Sequence, residues 1–135
     1  MSFLPGSEHF VAGIEPISFG AIARPAVSVV VPCYNEEANL HVLVDRVELV
    51  CKQVCQGDYE IVLVNDGSSD QSWPIICELA DDRENVVGVN LSRNHGHQLA
   101  LSAGLQICCG EAVLVLDADL QDPPELLPSM LEKLN

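Results

Sequence analysis

The sequence predicts an α/β protein with a mostly parallel sheet and helices on both faces. Short apolar runs rich in Val, Ile and Leu lie at residues 27–31, 59–64 and 86–91, and a fourth starts at residue 112. Segments with the apolar spacing of helices separate these runs. Strands that alternate with helices favour parallel pairing with right-handed crossovers. With 135 residues, of which 48% are hydrophobic, the chain suits one domain with buried strands.

The first predicted strand leads into an amphipathic helix. Residues 27–31 form a β-branched run that ends at Pro32, which is typical of a central strand. From Leu40 to about Val54 the apolar residues follow the i, i+3, i+4, i+7 spacing of a helix. Residues 35–39 can cap this helix, and its dipole favours an acid such as Glu36 at this end. Glu36 therefore has two interpretations, a ligand-binding carboxylate or a helix cap.

The later helices are predicted from apolar patterning and from glycine and proline. Residues 99–109 are apolar nearly all round, so we expect a well-buried helix. Gly104 suggests close packing within that helix, and Gly110 suits its C′ position. A last helix is predicted to begin near Pro123 and to be delayed or kinked by Pro128.

Domain boundaries follow from a change of pattern near residue 25. Residues 1–25 show no sustained helical or strand period and are punctuated by glycine and proline. We therefore predict a flexible leader over residues 1–25 and a folded domain over residues 26–135.

Charge and hydropathy exclude several classes of function. The formal net charge of −14 argues against a nucleic-acid surface or electrostatic docking on anionic lipid. No stretch has the length of a membrane span, and the first cation is Arg24, so a cytoplasmic protein is expected. The six cysteines form no CxxC pair, which favours buried free thiols over a zinc site or disulfides.

The fourth apolar run ends in two acids with one residue between them, Asp117 and Asp119. In an extended chain, residues two apart point to the same side, so the two carboxylates should converge. A divalent cation such as Mg²⁺ or Mn²⁺ would relieve their repulsion, and Gln121 offers a third oxygen. The alternative is that these are solvated loop acids that cap the next helix.

Two other strand ends carry polar residues. Asp66 directly follows the second strand, where a carboxylate is well placed to accept hydrogen bonds from a ribose or a base; alternatively, Ser68 and Gln71 simply form a capping box there. Arg93 follows the third strand and is a candidate contact for a diphosphate. His95 and His97 lie beside it, and we interpret them as loop or cap residues rather than a metal pair.

These motifs, in this order, resemble glycosyltransferase family 2. The matching segments are PCYNEE at residues 32–37, NDGSSD at 65–70, SRNHGH at 92–97 and DADLQDPPE at 117–125. The last two look closest to the polyprenyl-phosphate branch of the family. The resemblance implies the GT-A fold, a Rossmann-like fold that binds nucleotide sugars.

The resemblance also implies roles for particular residues. Asp117 and Asp119 are expected to be the catalytic residues and, with Gln121, to hold Mg²⁺ or Mn²⁺. The other residues implied to contact the nucleotide or its diphosphate are Pro32, Tyr34, Glu36, Val64, Asp66, Arg93 and Ala118. Relatives often have Lys where this chain has His97, so the resemblance implies no ionic contact there.

The activity implied is metal-dependent, inverting transfer of a sugar from a UDP- or GDP-linked donor to an acceptor. The acceptor is expected to be a polyprenyl phosphate or a glycan. A C-terminal part with membrane helices, as in many members of the family, would place the protein at the cytoplasmic face of a membrane. Because the family's domain continues beyond residue 135, the chain looks truncated, and an exposed sheet edge predicts self-association. Two other interpretations are a non-catalytic nucleotide-sugar- and metal-binding remnant, and a phosphohydrolase with Asp117 as nucleophile.

Overall fold

A computed structural model describes residues 2–3, 24–121 and 123–134 of the chain. Within this part, the strands are β1 Ser2–Phe3, β2 Val27–Cys33, β3 Tyr59–Asp66, β4 Val86–Leu91 and β5 Ala112–Val115. The helices are α1 Leu40–Cys55, α2 Ser72–Asp82, α3 His97–Ile107 and α4 Leu127–Leu134, the last preceded by a 3₁₀ turn at Pro124–Leu126. Because Pro128 lies in the first turn of α4, its missing N–H leaves no hydrogen bond of that helix unmade.

The strands form a single sheet in the order β1-β5-β2-β3-β4. Pairing among β2, β3, β4 and β5 is parallel, with Val27 opposite Tyr59 on one side and Ala112 on the other. The predicted parallel α/β sheet is confirmed. The short strand β1 pairs antiparallel with β5 and was not predicted. The remainder of the proposed leader, residues 4–23, lies outside the described residues, so the leader stays a prediction.

Helices pack on both faces of the sheet, as predicted. On one face, the side chains of Val29 and Val31 lie in a core cluster shared with α1, α2 and α4. On the other face, Val30 and Val62 pack with Ala100 of α3. Full burial of each such aliphatic side chain stabilises the fold by about 1.5–3 kcal/mol. The sheet is thus the element that holds the strand ends in place.

The helix α3 is less buried than its sequence predicted. Of its residues, Ala100 and Gly104 are buried, whereas Leu99 is 57% exposed and Ile107 44% exposed. In the described part of the chain, α3 is the one helix whose residues join the second core cluster, so its outer side has no neighbour to cover it. The prediction of close packing at Gly104 is confirmed, because an added Cβ would lie 2.5 Å from Cγ1 of Val30.

Gly110 does not act as a helix C′ residue. The helix α3 ends at Ile107 with an extended cap at Cys108, and Gly110 follows in the turn to β5. Its N–H donates to Oγ of Ser28 at 2.7 Å, and an added Cβ would lie 2.5 Å from the Ser28 backbone nitrogen. Glycine is therefore needed here for close approach to β2 rather than for a left-handed cap.

All six cysteines are free thiols, as predicted. The predicted burial holds for three of them, whereas two are partly exposed and one, Cys109, is exposed. Among the described residues, no helix combines the length and apolar character required to span a membrane.

Candidate functional site

The carboxyl ends of four parallel strands meet at one edge of the sheet. The loops that follow β2, β3, β4 and β5 therefore lie next to one another, and ligands of open α/β sheets bind at this edge. The residues predicted to bind the nucleotide, its diphosphate or the metal, apart from Val64 within β3, are in these loops or at the strand ends.

The loops after β2 and β3 are joined by side-chain hydrogen bonds. Asn35 adopts a φ of 53°, and its Oδ1 accepts a hydrogen bond from the N–H of Ser69 at 2.8 Å and one from the N–H of Asp70 at 3.3 Å. In return, the Asn35 N–H donates to Oγ of Ser68 at 3.0 Å. Ser68 thus faces the neighbouring loop and does not form the predicted capping box with Gln71.

Asp70 stabilises the start of α2 and the loop after β2 together. Its carboxylate accepts hydrogen bonds from the N–H of Ser72 at 2.8 Å and from that of Glu37 at 3.2 Å. Burial acts to raise the pKa of Asp70, but the hydrogen bonds from Ser72 and Glu37 lower it overall. The sequence analysis did not single out Asp70, although its position before α2 is that of a helix-capping acid.

Glu36 does not cap α1 through its side chain. Its carboxylate accepts a hydrogen bond from Nδ2 of Asn39 at 2.9 Å, and its N–H donates to Oγ of Ser72 at 2.9 Å. Asn39, the N-cap residue of α1, makes no side-chain capping bond either. Of the two interpretations of Glu36, side-chain capping is wrong, and a role in ligand binding remains a prediction.

Asp66 fixes the loop after β4. It is only 4% exposed, and its Oδ1 accepts a hydrogen bond from the N–H of His95 at 2.7 Å. Gly67 follows with a φ of +67°, and an added Cβ there would lie 2.2 Å from the backbone nitrogen of Asn94. Asp66 therefore positions a loop as well as facing the candidate ligand space.

A cavity of about 200 Å³ opens between these loops. It brings together three of the predicted residues, Pro32, Tyr34 and Asp66. Typical small-molecule sites measure roughly 300–1,000 Å³, so this cavity has room for part of a nucleotide. The other residues that line it are Cys33, Asn94, Gly96 and His97.

Several predicted residues lie outside this cavity. Val64 is fully buried in the core, where Gly104 of α3 packs close to its side chain. Ala118 is also buried, at 3% exposure, in the core on the opposite face. Arg93 is exposed in the loop after β4. Of these three, Arg93 is therefore the one whose side chain can reach a ligand without a change in the core.

Asp117 lies in irregular chain just after β5, and Asp119 lies in the turn that follows; residues 117–121 are together named the acidic turn. Regular pairing of β5 ends at Val115, with one further bond from the Leu116 N–H to the Val30 carbonyl oxygen at 3.0 Å. Oδ1 of Asp119 accepts a hydrogen bond from the N–H of Gln121 at 3.1 Å. Both acids are exposed at the predicted edge, on either side of the buried Ala118, and the convergence of their carboxylates remains a prediction.

The turn after β5 still offers suitable donors for a divalent cation. Asp117, Asp119 and Gln121 are exposed and carry carboxylate or amide oxygens, which suit Mg²⁺ and Mn²⁺. Among the described residues, no group of three or more His, Cys, Asp or Glu side chains is placed to hold a metal ion. The site fits a cation that takes some of its ligands from a bound diphosphate or from water.

His97 joins the cavity to the acidic turn, which the sequence analysis missed. As the first residue of α3, it lines the cavity, and its Nε2 lies 3.8 Å from Oδ1 of Asp117. Its position in the loop after the third strand was the available signal, because the loops after parallel strands converge.

A larger cavity, of about 810 Å³, lies near the C-terminal ends of α1 and α2. Some of its charged residues pair with one another: Arg83 pairs with Glu48 and, at 2.9 Å, with Asp45. Tyr59 donates a hydrogen bond to Glu48 at 3.1 Å. This cavity is larger than the one at the strand ends, but its charges already serve to join α1, β3 and α2.

The sheet, its crossing helices and its ligand edge define a Rossmann-like α/β domain. The family model of Glycosyl transferase family 2 matches residues 28–135. The chain therefore belongs to glycosyltransferase family 2, and its fold is the GT-A fold.

Two bacterial relatives illustrate the similarity. The chain is 48% identical over 107 residues to the undecaprenyl-phosphate 4-deoxy-4-formamido-L-arabinose transferase of Pectobacterium carotovorum. The aligned segment covers 78% of this chain and 32% of that protein. The chain is 47% identical over 108 residues to an uncharacterized glycosyltransferase of Bacillus subtilis, again 78% of this chain and 32% of the relative. The chain thus spans about a third of the length of these relatives.

Solved structures show the same fold. A mannosyltransferase from Pyrobaculum calidifontis, in complex with GDP-Man and Mn²⁺, superposes with a TM-score of 0.69 at 26% identity, over 84% of this chain and 33% of that one. S. aureus TarS in complex with UDP-GlcNAc gives a TM-score of 0.59 at 30% identity, over 69% of this chain and 26% of that one.

Proposed function

We propose that this chain forms the donor-binding part of a metal-dependent, inverting glycosyltransferase. The donor is a UDP- or GDP-linked sugar, and the acceptor is a polyprenyl phosphate. The observation that carries the proposal is the meeting, at one sheet edge, of the Asp66 cavity with the turn that contains Asp117 and Asp119. The relatives named for transfer to undecaprenyl phosphate support this choice of acceptor.

Each part of the edge has a role in this proposal. Tyr34 and Asp66 line the cavity and hold the base and ribose, to which Asp66 offers a fixed acceptor. Arg93, exposed beside the cavity, meets the diphosphate as a charge-assisted hydrogen-bond donor. Asp117 and Asp119 hold Mg²⁺ or Mn²⁺, and when bound the cation neutralises charge on the departing nucleoside diphosphate.

The proposed acceptor chemistry asks little of the protein as a base. A lipid phosphate is already an anion at neutral pH, so it attacks the anomeric carbon without losing a proton to a side chain. Attack in line with the departing diphosphate inverts the configuration at that carbon. An acceptor carried on a polyprenyl chain puts this reaction at a membrane surface, which we propose is the cytoplasmic face.

Calorimetric titration of UDP-glucose and GDP-mannose, with and without Mn²⁺, tests the proposal. We expect one donor to bind in a Mn²⁺-dependent manner, and the substitution Asp119→Ala to abolish that dependence. Asp81→Ala, which removes an exposed acid from α2, is the matched control and should bind like the unsubstituted chain. Failure of a folded chain to bind either donor, with or without metal, would contradict the proposal.

A further inference from the structure

We propose that His97 is a nitrogen ligand of the divalent cation at this site, beside Asp117. This inference rests on the proposed function, because it concerns the same cation. It goes further by assigning a ligand from a different element, the helix α3, and by giving the site a preference among metals.

The first support is the geometry of the two side chains. Nε2 of His97 and Oδ1 of Asp117 are 3.8 Å apart, which is too long for a direct hydrogen bond. Two ligand atoms that each lie about 2.0–2.2 Å from the same metal ion are separated by roughly 3–4 Å. The observed distance therefore allows one cation to contact both atoms.

The second support is access. The His97 side chain is 55% exposed and that of Asp117 51% exposed, so a hydrated cation can approach both groups. His97 begins α3, whose packing against β2 and β3 through Ala100 and Gly104 holds the imidazole beside the turn after β5. The position of the nitrogen thus depends on a helix rather than on a mobile loop.

The third support is the chemistry of the neighbouring groups. Cys33 also lines the cavity, but burial, with the nearby Glu36 charge, raises its pKa to about 12. Its Sγ–H donates to the Val31 carbonyl oxygen at 3.3 Å, so the thiol already has a partner on its own strand. Asp66 offers only part of its carboxylate, because Oδ1 already accepts the His95 N–H. His97 is the nitrogen donor that faces Asp117.

An imidazole ligand changes which metal the site prefers. Sites made only of carboxylate and amide oxygens suit Mg²⁺, whereas an imidazole nitrogen favours transition metals. The inference therefore predicts that the chain binds Mn²⁺ more tightly than Mg²⁺. It also predicts that His97→Gln weakens Mn²⁺ binding by roughly tenfold or more, while Mg²⁺ binding changes much less.

Pulsed electron paramagnetic resonance of the Mn²⁺-loaded full chain, with and without UDP, tests the assignment directly. We expect modulation from a directly bound ¹⁴N nucleus that changes when the histidines are labelled with ¹⁵N. His97→Gln should remove the signal, and His41→Gln, which alters an exposed histidine of α1, should retain it. Circular dichroism establishes that both variants fold.

The outcomes separate this inference from the proposed function. Mn²⁺ binding without nitrogen modulation, or modulation that survives His97→Gln, would overturn the assignment of His97 and leave the donor site intact. UDP binding in the absence of any Mn²⁺ binding would also overturn it. If the folded chain binds neither UDP nor Mn²⁺, the proposed function fails as well.

Discussion

At the scale of single residues, two hydrogen-bonded carboxylates organise the ligand edge. Asp66 and Asp70 each accept backbone N–H groups from a loop distant in sequence. A hydrogen bond to a charged group contributes about 1.5–3 kcal/mol. These acids therefore shape the site before any ligand is bound. Substituting them should change the free energy of unfolding and the ligand affinity by amounts that can be measured independently.

Asp66→Asn should weaken donor binding more than it lowers stability. The amide retains an oxygen that can accept the His95 N–H, so the expected loss of unfolding free energy is about 1 kcal/mol. The loss of the charge next to the ribose should weaken UDP affinity clearly. Urea unfolding and UDP titration measure the two effects. An unchanged UDP affinity would show that Asp66 acts only on the loop.

Asp70 predicts a specific dependence of stability on pH. Its folded-state pKa lies below the ordinary value of 3.8, so its contribution is present above that value and is lost as the pH falls through the folded pKa. Asp70→Asn should lower stability at pH 7 and flatten its decline below about pH 4. Thermal unfolding between pH 3 and pH 7 measures this.

Two comparisons make the Asp70 result interpretable. The hydrogen bond from Arg46 lowers the pKa of Glu125, so a shallower acid decline should persist in Asp70→Asn. Asp81→Asn changes an exposed acid on the same helix and should leave the profile unchanged. Identical acid profiles for Asp70→Asn and the unsubstituted chain would contradict the role given to Asp70.

At the scale of elements, close contacts to β2 set the position of α3 and of the turn that follows it. Gly104 brings α3 against Val30. In the segment between α3 and β5, the N–H of Cys109 donates a hydrogen bond to Glu60 Oε1 at 2.6 Å. The same oxygen accepts a hydrogen bond from Oγ of Ser28 at 2.5 Å. Since His97 begins α3, these contacts also determine where the proposed metal ligand lies.

Gly104→Ala should destabilise the protein by about 1–3 kcal/mol, because the added methyl group overlaps Val30 and forces α3 away from the sheet. Chemical denaturation provides the measurement. Ser102→Ala, on the exposed side of the same helix, controls for the change in helix propensity and should be neutral or slightly stabilising. Equal stabilities for the two variants would show that α3 shifts at no cost.

At the scale of the whole molecule, the described residues leave apolar side chains exposed on the outer side of α3. Leu99 and Ile107 of α3 are largely open to solvent, at 57% and 44%, while the strongly negative net charge opposes close association. Added salt screens that repulsion and leaves the apolar attraction in place.

Self-association should therefore increase with ionic strength. Sedimentation velocity of the chain at low and at physiological salt measures this effect. The double variant Leu99→Ser/Ile107→Ser should remain monomeric under both conditions, and Val42→Ser, which alters an exposed apolar residue of α1, should behave like the unsubstituted chain. Equal association of all three would place the contact at another surface, such as a sheet edge.

Most of the fold could be predicted from the sequence because strand and helix patterning is local. The composition of residues 27–31 and 59–64 is enough to predict their strands. The parallel topology then predicts that the acids at the strand ends share one edge of the sheet. Local patterning does not report which faces find a neighbour, so the exposure of α3 was not predicted. Nor does it report contacts between elements distant in sequence, such as the approach of His97 to Asp117 or the bonds made by Asn35.

The most direct test of the nucleotide site is an amide chemical-shift map of the ¹⁵N-labelled chain, titrated with UDP and then with GDP. We predict that the largest shifts for the preferred nucleotide fall on Tyr34, Gly67, Asn94 and Ala118, which surround the cavity and the acidic turn at the strand ends. The largest shifts at Lys52, Gly57 and Arg83, which line the larger cavity, would contradict the assignment of the site.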